Sequence, residues 1–280
     1  MMRYPLLCLG LILCSALGWS AENEKNTPLT EPGIVLSFDD SGNLPLWAEQ
    51  IELFQKYGAR ATFFVTNPAE LSDTEAAALK KLADSGMAIG VHGVHHVASV
   101  DYVNEHGTEA FLADEVRPAL ETLRNVYGLN PTSFAYPYSQ GDARTDAALQ
   151  TLFCHVRTGY SSGKPLAESD PFFIPLETVD QVFTMGAWSC DMATEKIVET
   201  QVYPALERLK ERSEIIVFLA HKISPEGQQY FIKPDILEMI LKRCSELGLR
   251  FYTFDDLPSR WPEQNEKGDF EICERSLLLS

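Results

Sequence analysis

The sequence predicts an α/β chain whose parallel strands close, or nearly close, into a barrel. Three observations point that way. Short Val/Ile/Leu-rich runs recur between turn residues, helical patterns separate them, and polar residues suited to chemistry stand just past the C-terminal ends of the runs. About seven such strand–helix units fit such a barrel, and barrels of this kind carry their working residues at those ends.

The first run, Ile34-Val35-Leu36, continues through Ser37-Phe38 into the adjacent carboxylates Asp39-Asp40 and is bracketed by Pro32-Gly33 and Ser41-Gly42. Leu44–Tyr57 has helical spacing in Leu46, Trp47, Ile51, Leu53 and Phe54. Ala61–Val65 reads as the second strand. Asp73–Ser85 is an Ala/Leu/Lys helix stopped by Gly86, and Met87–Val91 is the third strand. A long helix is expected over Thr108–Tyr127, ended by Gly128. Then follow strand Ser133–Tyr136, helix Thr145–Phe153, strand Cys154–Arg157 and strand Gln181–Met185. Helix Ala193–Arg212, strand Ile215–Ala220, helix Pro234–Leu247 and strand Arg250–Thr253 complete the pattern. Internal repeats, a second domain and low-complexity linkers are not evident.

Asp39 and Asp40 would repel each other at a buried strand end and lose solvation, which calls for a compensating charge such as a metal ion. Adjacent strand residues point to opposite faces, so the turn must bring both carboxylates to one mouth. About fifty residues on, past the third strand, stands His92-Gly93-Val94-His95-His96. A spacing of four sets His92 and His96 on one side of a helical turn or loop. One carboxylate with two imidazoles leaves metal positions open for water and substrate. Taken singly, a DD pair after a strand is more often a turn or cap, and HxxxH more often not a ligand pair. It is their joint placement after two strands that favours a metal site.

Four segments in order resemble the motifs of the polysaccharide deacetylases, the NodB-like carbohydrate esterase family 4. They are Ser37-Phe38-Asp39-Asp40, His92-Gly93-Val94-His95-His96, Phe134-Ala135-Tyr136-Pro137-Tyr138 and Phe218-Leu219-Ala220-His221. The resemblance spans roughly residues 33 to 256 and is similar to the branch that includes poly-N-acetylglucosamine deacetylases. It implies a distorted (β/α)7 barrel. It further implies one divalent metal, zinc in first place with cobalt and nickel as alternatives, held by Asp40, His92 and His96. Asp39 would be the general base and His221 the general acid. Tyr138, after Pro137, would supply its backbone N–H to the oxyanion, and Trp188 and Asp191 loosely match an aromatic and acidic pair near the site. The expected substrate is an acetylated glycan.

The sequence departs from the family pattern at Ser41, in place of Gly, and at Gly93, in place of a Ser/Thr that steadies the histidine loop. Ala135 stands where many members carry an Arg paired with the base, which would leave Asp39 one cation short unless Arg157 supplies it. A groove lined by Trp188, Tyr136 and Tyr138 would suit sugar rings, although aromatics in such positions are more often core. Thr253-Phe254-Asp255-Asp256 repeats the first motif but has no histidine pair after it and reads as a strand end capping a turn. His95 could compete with His96, but the spacing favours His96. His106 and His155 read as structural or surface.

Residues 1–21 hold one charge, Arg3, before the apolar run Leu6–Leu17, with small residues around Gly18–Ala21. This is a secretory signal pattern, too short for a comfortable membrane span. The organisation expected is signal 1–21, polar lead 22–32, barrel 33–262 and tail 263–280, in a secreted or periplasmic protein without an integral span. Cys8 and Cys14 follow Leu and do not suit a lipoprotein signal. The remaining Cys154, Cys190, Cys244 and Cys273 are too few for a disulfide framework in about 260 residues. The formal net charge of −17 argues against nucleic acid or an anionic membrane as partner. Two other readings fit the residues: a silent carbohydrate-binding member of the fold, suggested by Gly93 and Ala135, and a hydrolase of small amides. Oligomeric state is not legible.

Overall fold

The structure, a computed structural model, describes residues 28–261. The expected signal at 1–21, most of the lead and the tail lie outside them. Among the described residues there are eleven strands: β1 Gly33–Asp39, β2 Thr62–Val65, β3 Ala88–Val91, β4 Ser133–Ala135, β5 His155–Tyr160, β6 Phe173–Pro175, β7 Thr184–Ser189, β8 Glu214–Ala220, β9 Lys222–Ile223, β10 Phe231–Ile232 and β11 Arg250–Tyr252. Seven of them, β1-β2-β3-β4-β5-β7-β8, pair in parallel, and β8 returns to β1 to close a (β/α)7 barrel.

The distortion is visible in β1. One edge pairs with β8 over residues 33–38. The other is shared: β11 takes Gly33, Ile34 and Val35, and β2 takes Ser37, Phe38 and Asp39. The close β11 contact needs Gly33, since a Cβ there would meet the Arg250 carbonyl oxygen at 2.4 Å. β6 adds to β8 antiparallel and was not evident from sequence. Neither were the short β9–β10 pair after His221 and the helix Ser99–His106.

Strand alternation divides the core into two layers. Ile34, Leu36 and Phe38 face outward, where Phe38 packs against Trp47, Phe54 and Phe63. Val35, Ala135, Met185, Ala187, Val217 and Leu219 fill the inner face. The same period puts Asp39, Arg157, His92 and His221 in the inward set of their strands.

Several boundaries differ from the sequence reading. Leu44–Tyr57 is two helices, Leu44–Glu49 and Ile51–Lys56, broken at Gln50. The expected helix over Thr108–Tyr127 contains a π-helical turn, Leu112–Val116, before Arg117–Asn125. A second π turn, Val198–Val202, interrupts the helix ending at Arg212. Each π turn runs into a proline, Pro118 or Pro204, whose missing N–H cannot close the ordinary i→i−4 bond. The strand expected at Gln181–Met185 lies later, at Thr184–Ser189, with a 3₁₀ segment over Leu176–Gln181. Among the described residues, no helix is long and apolar enough to cross a membrane.

The repeated motif at Thr253–Asp256 is a cap. Asp256 accepts from the Thr253 N–H and hydroxyl and pairs with Arg60. His155 is fully buried, its Nδ1 bonded to the Val182 carbonyl, and burial pushes it down to about 4, so it stays neutral and structural.

Candidate metal centre

The site gathers at the C-terminal ends of β1, β3 and β8, with Arg157 reaching it from within β5. Asp39 ends β1 facing inward and is 3% exposed. Asp40 would point away by strand alternation. Its backbone turns into the left-handed region, φ 78°, and swings the carboxylate back to the mouth. His92 Nε2 then lies 3.7 Å from Asp40 Oδ1 and 3.8 Å from Asp39 Oδ2, while His96 Nε2 is 3.5 Å from Asp40 Oδ1.

Ligating atoms of Asp40, His92 and His96 all lie within 4.8 Å of one another. His92 is buried, and its Nδ1 is 2.8 Å from the Ala135 carbonyl oxygen. A carbonyl only accepts, so Nδ1 carries the proton and Nε2 presents its lone pair toward Asp40. Burial pushes His92 below the ordinary imidazole value, with Asp39 opposing, which keeps it in the neutral, ligating form. The donor set therefore fits a divalent cation with one carboxylate and two imidazoles. The spacing of four is achieved by a loop, with positive φ at Gly93 (80°) and His96 (56°), and not by a helical turn.

Asp39 does not lack a cation. Arg157, 1% exposed, donates from Nη2 to Asp39 Oδ2 and stacks its guanidinium 5.4 Å from the Phe64 ring centre. Arg157 is the register partner of Ala135 on the neighbouring strand. The charge is thus displaced by one strand and keeps the inward parity. Burial alone would raise the Asp39 carboxyl; the Arg157 guanidinium, foremost among the neighbouring charges, outweighs it and holds it below the usual range. Its other oxygen, Oδ1, is buried with no hydrogen-bond partner among the described residues. An ionised carboxylate with one oxygen anchored and one open is suited to accept a proton.

His221 follows β8. Its backbone N–H donates to Asp191 Oδ1 at 3.0 Å, and its Nδ1–H to Asp191 Oδ2 at 2.6 Å. Trp47 Nε1–H donates to its carbonyl at 2.7 Å. These three contacts fix the ring and leave Nε2 for the site. Burial lowers the His221 value, but the Asp191 bond and the Asp39, Asp191 and Asp40 charges outweigh it, so it lies above the ordinary imidazole value. This suits a proton donor near neutral pH.

Tyr138 is exposed, with φ 55°, and its ring centre stands 4.7 Å from that of His96; the preceding Pro137 is buried. Tyr136 and Trp188 do not line a groove here. Both belong to the outward set: Tyr136 is buried and bonds Thr145 and Asp146, and Trp188 packs edge-on against Phe218. The exposed aromatic that the sequence reading missed is Tyr230, whose ring centre is 5.3 Å from His221.

His95 is not in the ligand cluster. Its Nδ1 is 2.6 Å from Glu115 Oε1, and Glu115 Oε2 accepts from the Val94 and His95 N–H groups. Glu115 was also missed, although it is an acid on the apolar stripe Phe111, Leu112, Glu115, Ala119, which is a signal readable in sequence.

The polysaccharide deacetylase family model matches residues 26–155. No curated protein sequence matches the chain. Among solved structures, PdaA of Bacillus subtilis, a family 4 carbohydrate esterase, is 17% identical over 84% of this chain and 86% of its own, with a TM-score of 0.51. The Xyl-CE4 domain of a multidomain xylanase from the hindgut metagenome of Trinervitermes trinervoides is 16% identical over 80% and 88%, also with a TM-score of 0.51. The catalytic domain of a peptidoglycan N-acetylglucosamine deacetylase from Eubacterium rectale is 17% identical over 82% and 91%, with a TM-score of 0.50. The chain is thus similar to the polysaccharide deacetylase family over residues 26–155 and shares the closed seven-stranded barrel fold of these structures.

Proposed function

We propose that the chain is a divalent-metal-dependent hydrolase, exported from the cytoplasm, that removes N-acetyl groups from a glycan, with zinc as the first-choice metal. The observation that carries this reading is the pairing of an ionised, Arg157-anchored Asp39 with an Asp191-anchored His221 across one ligand cluster. Bound by Asp40, His92 and His96, the cation supplies Lewis acidity toward a carbonyl and a water.

The chain's own residues supply the proton transfers. Asp39 Oδ1 accepts a proton from the attacking water, and Arg157 keeps Oδ2 fixed while it does so. His221 Nε2–H gives a proton to the departing nitrogen, and Asp191 stabilises the imidazolium before transfer. Acid and base steps of this type each contribute about 10²–10⁴-fold. An amide nitrogen leaves poorly without a proton, so the carefully held His221 favours N-acetyl over O-acetyl substrates. The exposed Tyr138 and Tyr230 rings beside His96 and His221 offer faces for sugar rings. Arg157 at Asp39 removes the main ground for a silent carbohydrate-binding member.

Acetate release from a panel of acetylated glycans, with and without chelator and added Zn²⁺, tests the function. Metal-dependent release is expected, and no release from any N-acetylated glycan refutes it. Export is tested by mass spectrometry of the N-terminus from the native host. Processing near Gly18–Ala21 is expected, and an intact Met1 in the cytoplasmic fraction refutes it.

A further inference from the structure

We propose that Glu115 is the positioning residue that preforms the ligand loop His92–His96 and makes His96, not His95, the ligand. The inference rests on the metal-centre reading above. Its ground is a carboxylate 1% exposed whose hydrogen bonds all go to that loop. Oε2 accepts from the Val94 N–H at 3.2 Å and the His95 N–H at 2.8 Å, and Oε1 receives His95 Nδ1 at 2.6 Å.

The loop needs such a clamp. It carries a positive φ at Gly93 and again at His96, where a side chain makes that conformation costly. The loop entrance is held by backbone bonds, His92 N–H to Val65 and Asn67 N–H to the Gly93 carbonyl. The amides of Val94 and His95 are held by Glu115. A Cβ on Gly93 would sit 3.3 Å from Glu115 Oε2, so the carboxylate occupies the space in which a side chain at 93 would steady the loop. The hydrogen bond expected to be missing at Gly93 is supplied from another element.

The clamp also decides between two adjacent imidazoles. His95, its side chain 69% exposed, is turned onto Glu115, while His96 Nε2 faces Asp40. Glu115 reaches the loop from the π-helical turn Leu112–Val116, and such turns often occur at functional sites. The proline-forced turn and the clamp are thus one local arrangement.

The test is Zn²⁺ affinity by calorimetry on the metal-free chain, with the Co²⁺ absorption spectrum as a second readout. Glu115→Leu removes both acceptors and is expected to raise the Zn²⁺ Kd by about 10–100-fold and to alter the Co²⁺ spectrum. Glu115→Gln keeps one oxygen for the two amides and an NH₂ for the His95 ring, and is expected to restore most of the affinity. His95→Ala leaves the amide bonds and should bind within about threefold of wild type. If Glu115→Leu binds as tightly as wild type, or His95→Ala loses the metal, the inference is overturned. Should Glu115→Leu not fold, amide hydrogen exchange of metal-free wild type decides. The Val94 and His95 amides must be protected, and exchange at the rate of an open loop overturns the clamp. A wild type that binds no Zn²⁺ overturns the metal-centre reading itself, whereas a binding wild type with an unaffected Glu115→Leu overturns only this inference.

Discussion

Replacing Arg157 by Met keeps an unbranched side chain over Phe64 but deletes the charge beside Asp39. Both groups of the pair are essentially buried, at 1% and 3% exposure. Breaking a buried pair by removing one partner costs about 3–5 kcal/mol, because the remaining charge has neither water nor counter-ion. In metal-free protein the expected loss in urea unfolding at pH 7 is therefore about 3–5 kcal/mol. In an Asp39→Asn background there is no carboxylate to strand, and the same change should cost distinctly less.

The sign with pH follows from the Asp39 carboxyl. In wild type it is held below its ordinary value of 3.8. Its contribution is thus fully present above that value and lost as pH falls through the folded-state value. Without Arg157 the strongest charge opposing burial is lost and the carboxyl moves upward, so ionised Asp39 contributes less stability as pH rises above its unfolded value. The cost of Arg157→Met should be largest near neutral pH and shrink towards pH 4. In activity, the acidic limb of kcat/KM should move to higher pH. A cost independent of pH and unchanged by Asp39→Asn would refute the pair as the element that keeps the base ionised.

Asp191→Asn removes the negative charge, and one of the two acceptor oxygens, that hold His221 above its ordinary value of 6.5, so the alkaline limb of kcat/KM should move to lower pH; an unmoved limb assigns that limb to another group. His221→Ala should lower kcat on an N-acetyl substrate by about 10²–10⁴-fold yet retain much more activity on an activated ester, which leaves without a proton. Equal loss on both substrates would make His221 structural. Asp39→Asn should recover on neither, since water activation is still required, and near-wild-type amide turnover would remove the base assignment. Elemental analysis should find one divalent metal per chain in wild type and less in His92→Ala, and equal stoichiometry would remove His92 from the site.

Short-range pattern was enough for the barrel and for much of the site. Buried runs such as Ile34–Leu36 and Ile215–Ala220 announce strands because a parallel strand covered on both faces must be apolar along its length. Asp39-Asp40, His92, His96 and His221 are legible because strand ends are local features and their side chains stand next to them in the chain. What the sequence alone left undetermined depends on groups that meet only when strands take register and helices dock. Arg157 reaches Asp39 across 118 residues because β5 pairs with β4 so that Arg157 lies level with Ala135. Inward parity decides that Tyr136 and Trp188 belong to the outer layer, and a one-residue shift would have reversed both. Asp40 joins His92 and His96 in the candidate metal cluster through a positive φ that residue identity does not announce. Glu115 and Asp191 orient histidines 20 and 30 residues away. Ionisable groups buried at such distances must find partners because desolvation is costly, and only the packed barrel decides which partner is within reach.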